Sequence, residues 1–176
     1  MIENYTFSKL SENELYDILN LRNQKQVREA SFNKKIISLD EHKLWFSKKI
    51  KDDFFNHYVL KHNNKIIGLG YGENYNLENK SCLWGFYVDF NIKSKIKYGS
   101  VVKYLLFQKL FSIKKIEKIE CQVLKGFEWI KDWHFRWGHE LKNFDNNLNC
   151  YTLVLEKKNW AKIREKIYEE GFQKKP

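Results

Sequence analysis

Proline occurs once in the 176 residues, as Pro176, so no proline-rich linker divides the chain. No Gly/Ser-rich tract does so either. One domain, residues 1–176, is the expectation. Long apolar runs are also missing. Nothing approaches the ~20 consecutive apolar residues that span a bilayer, and MIENYTFSKLSENEL is polar where a signal peptide is apolar. Membrane insertion is therefore not expected. Cysteine is scarce, at Cys82, Cys121 and Cys150, an odd count without a CxxC pair. No disulfide framework or metal site is expected from that spacing, and three free thiols fit a reducing cytoplasm.

Aromatics are plentiful at 16% of residues and must be buried or stacked. Positive charge also dominates, with 32 Lys and Arg against 22 Asp and Glu, a formal +10. That balance favours an anionic partner, or it reflects a surface that is basic throughout, since the lysines are dispersed. A nucleic-acid-binding module is the competing reading. It is disfavoured because no single element interleaves basic and aromatic residues, so nucleic acid is not an expected partner.

Local patterns give the element order. Residues 4–8 suit a first strand. Ser11 to Glu14 and Ser38 to Glu41 are capping boxes. The first opens a helix carrying Leu15, Ile18 and Leu19 down to Asn23, the second one carrying Leu44, Trp45, Phe46 and Ile50. Asn63-Asn64 between apolar runs signals a hairpin, and Ser81–Val88 reads as a further strand. Val101, Val102, Leu105, Leu106 and Leu110 mark one face of a helix over 99–112. Strands near 119–124 and 149–155 bracket a helix over 127–136, and a charged helix over 157–170 closes the chain. The fold class is α/β (α+β), with helices on a mixed sheet of six to seven strands.

The stretch 95–111, KIKYGSVVKYLLFQKLF, carries the functional question. A helix N-terminus offers unpaired N–H groups and a positive dipole end, a ready seat for a pyrophosphate. Lys93, Lys95 and Lys97 add charge, Gly99 allows close backbone approach, and Ser100 can cap or bind phosphate. The bland alternative is a solvated basic loop before a core helix. Trp129, Trp133 and Trp137 recur every four residues, a stripe that serves packing or, if exposed, a subunit contact or stacking platform.

Strand, basic turn, helix, strand, helix over 81–136 resembles the Gcn5-related N-acetyltransferase (GNAT) superfamily. In that superfamily a Q/R-x-x-G-x-G/A turn holds the pyrophosphate of coenzyme A. Here the turn is Ser94-Lys95-Ile96-Lys97-Tyr98-Gly99, matching only at its last glycine. Upstream, LRNQKQVREASFNKKIISLDEHKLWFSKKI (21–50) resembles the PseH-like branch, which acetylates the 4-amino group of a UDP-linked amino sugar in pseudaminic acid synthesis. NNKIIGLG, SCLWGFYV and GSVVKYLLFQKLF follow in the same order, so the resemblance covers about residues 5–155.

The resemblance implies a GNAT fold whose fourth and fifth strands splay, acetyl-CoA as co-substrate, and a nucleotide-sugar acceptor. It implies that Phe86, Tyr87 and Val88 meet the pantetheine arm, while Lys95, Lys97, Tyr98, Gly99 and Ser100 meet the pyrophosphate. Arg22, Asn23, His42, Trp45, Tyr71 and Trp84 would line the acceptor side. The superfamily's Asn and Tyr after the fifth strand are replaced by Phe127 and His134, which makes His134 the candidate general acid. The competing role for it is a helix-surface histidine. Gln122 stands where relatives carry a proton-relaying Glu, and an amide is no base. A GNAT-fold acetyltransferase of another amine and a catalytically silent CoA- or nucleotide-binding relative stay open, as does a homodimer.

Overall fold

The computed structural model describes residues 2–93 and 95–172, without the side chains of Glu3, Lys95 and Ile96. Seven strands form one mixed sheet: β1 (Tyr5–Lys9), β2 (Asn56–His62), β3 (Lys65–Asn76), β4 (Ser81–Val88), β5 (Lys118–Leu124), β6 (Glu140–Asp145) and β7 (Cys150–Glu156). The helices are α1 (Leu15–Arg22), α2 (Lys25–Glu29), α3 (Leu39–Lys49), α4 (Lys95–Ser112), α5 (Glu128–Phe135) and α6 (Lys157–Phe172). The sheet order is β1-β2-β3-β4-β5-β7-β6. Pairing is antiparallel for β1–β2, β2–β3, β5–β7 and β6–β7. β4 and β5 are parallel, and their ladder holds only Ser81↔Lys118, Cys82↔Ile119 and Leu83↔Glu120. β4 nevertheless runs on to Val88 and β5 to Leu124.

The local signals have physical counterparts. Asn63 and Asn64 both take positive φ, 49° and 61°, as a tight two-residue hairpin turn requires. Both capping boxes form. Ser38 accepts from the Glu41 amide at 3.2 Å while the Glu41 carboxylate accepts from the Ser38 amide at 2.7 Å. Ser11 and Glu14 close the other box.

Several boundaries differ from the expectation. The segment 11–23 starts as a 3-10 turn over Glu12–Glu14 before α1, which ends at Arg22. The short α2 and the strand β6 are additional. α4 begins at Lys95, four residues before the expected start, so Lys97, Tyr98 and Gly99 are helical and do not form a turn. Gly99 accordingly is not among the positive-φ glycines.

The chain divides into two compact units, 74–84 with 108–176 and 2–73 with 85–107. In the second unit, Leu10, Leu15, Ile18, Leu21, Phe46, Val59 and Leu69 form the core, flanked by Trp45, Phe55, Tyr71 and Tyr87. The face of α4 follows its periodicity: Val101, Val102, Leu106 and Leu110 are buried and Leu105 half-buried. β3 glycines admit α4 closely. A Cβ at Gly70 would fall 2.9 Å from Val102 Cγ1, and one at Gly68 2.9 Å from the Tyr87 carbonyl oxygen. In the other unit, Ile116, Ile119, Leu153 and Leu155 are fully buried, and Trp137 stacks on Trp160 with centroids 6.4 Å apart. Full burial of each such aliphatic side chain contributes about 1.5–3 kcal/mol.

Candidate functional site

The unit 2–73 with 85–107 holds most of the residues the sequence singled out. Its centre is an aromatic column. His57 on β2 stacks between Phe55 (centroids 4.8 Å apart, planes 12°) and Tyr71 (5.4 Å, 13°). Trp45 of α3 meets His57 edge-on at 5.3 Å. His42, one helical turn earlier, stacks on Trp45 at 5.0 Å. The spacing of three puts His42 and Trp45 on one helix face. Tyr71 lies over Gly85 of β4, where any Cβ would overlap its hydroxyl and ring. The column needs that glycine for want of space.

Burial and charge disfavour the protonated form of both imidazoles. Burial pushes the pKa of His57 from the ordinary 6.5 down to about 3; Lys49 and Lys9 push the same way and Asp52 opposes them. His42 is also lowered, by burial first and then by the Arg22 guanidinium. The Tyr87 hydroxyl is held above the usual phenol range by burial and by Tyr71, with Arg22 acting against them. Arg22, His42, Tyr71 and Tyr87 thus share one electrostatic neighbourhood. Three buried polar atoms here, Arg22 Nη1, His42 Nε2 and His57 Nδ1, lack a hydrogen-bond partner among the described residues. Such atoms cost stability unless water or a ligand meets them.

Other groups of the same neighbourhood hold the chain in place. The Asn23 side chain donates to the Ile37 carbonyl at 2.8 Å and accepts from the Ile37 amide at 2.9 Å. Arg22 Nη2 donates to Asn33 O at 2.8 Å, and Arg28 donates to Asn23 O and Lys34 O. Together they stitch the loop over 31–37 to α1 and α2. Asn23 therefore spends its amide on the backbone.

At the end of β4, Phe86 and Tyr87 are half-buried and Val88 is buried. The following loop is fixed by one side chain from the α1–α2 junction. Gln24 Nε2 donates to Asp89 Oδ1 at 2.8 Å, while Gln24 Oε1 accepts from the Phe90 amide at 2.8 Å. Asp89 Oδ1 also accepts from the Asn91 amide at 2.9 Å. The loop leads to α4, in whose first turns Lys97 is exposed, Tyr98 and Ser100 half-buried and Gly99 buried. Tyr98 packs edge-on against Tyr5 at 6.1 Å. Ser94 and the side chain of Lys95 lie outside the described residues.

The unit 74–84 with 108–176 holds the remaining candidates. Gln122 is exposed on β5. His134, near the end of α5, is 3% exposed and so is no surface histidine. It packs against Trp84 (5.2 Å, edge-on), Trp133 (5.7 Å) and His139 (5.1 Å). Trp84 is itself 4% exposed and touches both histidines. The tryptophan stripe does not act as one face. α5 ends at Phe135, Trp129 is 60% exposed, Trp133 half-buried, and Trp137 lies buried beyond the helix.

Four positions escape the sequence reading: Gln24, His57, Gly85 and Asp89. Each acts through a partner distant in sequence. Only Gly85, a glycine between Trp84 and Phe86 in a strand, carries a local sign of close approach.

No family model matches the sequence, and no curated protein matches it. Solved structures do. The spermidine N-acetyltransferase from Vibrio cholerae in complex with CoA and spermine matches with a TM-score of 0.79 and 17% identity, over 90% of this chain and 99% of that one. Mutant forms of the spermidine/spermine N-acetyltransferase from the same organism give 0.75 and 17%, over 91% and 98%. An N-acetyltransferase from Staphylococcus aureus Mu50 gives 0.70 and 15%, over 87% and 98%. The fold is the GNAT fold.

Proposed function

We propose that the protein is an acetyl-CoA-dependent N-acetyltransferase acting on a small-molecule amine, with a nucleotide-linked (UDP) amino sugar as the acceptor. The observation that carries this reading is the β4 strand of a GNAT fold, which leaves its ladder with β5 at Leu83 and runs on through Gly85–Val88 toward α4. In the proposal, main-chain groups of Phe86, Tyr87 and Val88 hydrogen-bond the pantetheine arm. First-turn amides of α4, with Lys97 and Ser100, meet the pyrophosphate. The Gln24–Asp89 fork sets the path of the loop between these two segments.

The chemistry is direct transfer. The neutral amine attacks the thioester carbonyl carbon and a C–N bond forms. A β4 amide near Val88 stabilises the oxyanion. The C–S bond then breaks and coenzyme A leaves as thiolate. The amine's surplus proton passes to water and the thiolate takes one from solvent. Gln122, an amide, plays no part as base. The buried imidazole of His134 is not needed for this proton balance.

The anionic acceptor is supported by the partnerless Nη1 of Arg22 beside His42. Trp45 and Tyr71, both half-buried, add aromatic surface for a base or sugar. A polyamine acceptor is the second reading, favoured by the Vibrio cholerae structure that holds spermine. The excess of cationic side chains weighs against it. The test mixes protein and acetyl-CoA with a UDP-linked amino sugar or with spermidine. It reads coenzyme A thiol release and identifies the product by mass spectrometry. Calorimetric titration of acetyl-CoA accompanies it. Absence of binding at millimolar coenzyme removes the enzyme reading, and turnover of spermidine alone removes the anionic acceptor.

A further inference from the structure

We propose that Cys121, His134 and His139 form a binding site for a thiophilic metal ion, with Zn²⁺ the fitting occupant. The three side chains are buried, and one ligand atom from each lies within 4.8 Å of the others. A tetrahedral zinc with bonds of roughly 2.0–2.3 Å spaces its ligands about 3.3–3.7 Å apart, so small side-chain rotations close the set. Cys121 comes from β5, His134 from α5, and His139 from the turn that leads into β6.

The helix end builds the site. Gly138 takes φ 78°, its amide donates to Phe135 O at 2.9 Å, and the His139 amide donates to His134 O at 3.2 Å. This Schellman turn folds His139 back beside His134. The His139 ring closes the turn again, with Nδ1 3.1 Å from the same His134 carbonyl. A carbonyl only accepts, so Nδ1 carries the proton and Nε2 keeps its lone pair. A histidine whose second nitrogen donates to a backbone carbonyl is the tautomer that metal sites use. Trp84 packs against both imidazoles, at 5.2 and 5.6 Å, and supplies an apolar surround.

In sequence the set reads Cys-x12-His-x4-His, without the second cysteine that would announce it. Two imidazoles and a thiolate suit Zn²⁺, and three protein ligands leave a fourth position for water or an exogenous anion. The thiol of Cys121 gives up its proton on binding. The ion would tie β5, α5 and the α5–β6 turn together, and it is independent of the acetyltransferase reading.

The test adds Co²⁺ to the full-length, metal-stripped protein and follows thiolate-to-cobalt charge-transfer absorption, with Zn²⁺ displacing it. One equivalent should bind. Cys121→Ser should abolish the charge-transfer band, and His139→Gln should weaken binding at least tenfold. Cys82→Ser and Cys150→Ser should leave the band intact, and circular dichroism checks that each variant is folded. Absence of the band in the folded wild type overturns the proposal, as does a band that survives Cys121→Ser. Neither result bears on acetyl-CoA binding, which the calorimetric titration reads separately.

Discussion

Acidification should destabilise this protein through His57 before most of its carboxylates titrate. The imidazole is 3% exposed, sandwiched between Phe55 and Tyr71, and without a hydrogen-bond partner at Nδ1. Its pKa in the folded chain is about 3, against the ordinary 6.5. The unfolded chain therefore binds a proton below pH 6.5 that the folded chain refuses until about pH 3. Stability from this group is complete above 6.5, falls as pH drops through the window, and is fully lost near pH 3. At pH 4.5, two units into the window, the loss is about 3 kcal/mol, and across the whole window about 5 kcal/mol. The assay is urea denaturation of the wild type and His57→Phe at pH 7.5, 6.5, 5.5 and 4.5. Phe keeps the stacking and removes the proton site. Glu14, whose carboxyl is held low by Lys61 and Ser11 against the opposing effect of burial, also weakens folding in acid. It does so equally in both proteins, so the difference between them isolates His57. The wild type should lose about 3 kcal/mol more than the variant between pH 7.5 and 4.5. Parallel pH profiles would falsify the reasoning, and His57→Gln guards against a packing artefact of Phe.

Other perturbations have equally definite outcomes. Gly85→Ala forces the Tyr71 ring off His57 and should cost about 1–3 kcal/mol in a denaturant titration, with most of the loss recovered in the double variant carrying Tyr71→Leu. Ser38→Ala removes the cap of α3 and should cost about 1 kcal/mol by the same measurement. Gln24→Ala frees the loop after β4 and should raise the acetyl-CoA Kd in calorimetry severalfold, while Gln26→Ala, an exposed glutamine on α2, should not. Arg22→Ala should raise KM for the UDP-linked amino sugar far more than KM for acetyl-CoA. Equal effects on both would remove Arg22 from the acceptor side.

Much of the framework was legible because its signals are local. Asn63-Asn64 has turn chemistry built in, Ser38 and Glu41 reciprocate within three residues, and the apolar face of α4 has helical spacing. β6 was not legible. Its burial runs exposed through most of its length, as suits an edge strand, so it lacks the alternation that announces one. The start of α4 was misplaced because Lys97-Tyr98-Gly99 has turn-like composition, yet a single glycine costs a helix of this length only about 1 kcal/mol. Arg22, His42, Trp45 and Tyr71 were named from the resemblance; Trp45 and Tyr71 meet at His57, which no local pattern marks, His42 stacks on Trp45, and Arg22 acts on His42. The Cys121, His134 and His139 set stayed hidden because a backbone turn at Gly138, and not regular ligand spacing, completes it.

The forked amide of Gln24 fixes how this region can tolerate change in length. Both ends of that side chain are committed to the residues after β4, one to a carboxylate and one to a backbone amide. Adding or deleting a residue at the junction of the first two helices would swing the fork away and unfasten a segment more than sixty positions downstream. The Asn63-Asn64 tip, exposed and held only by its own turn, is where a tag or a spliced sequence can enter without that penalty.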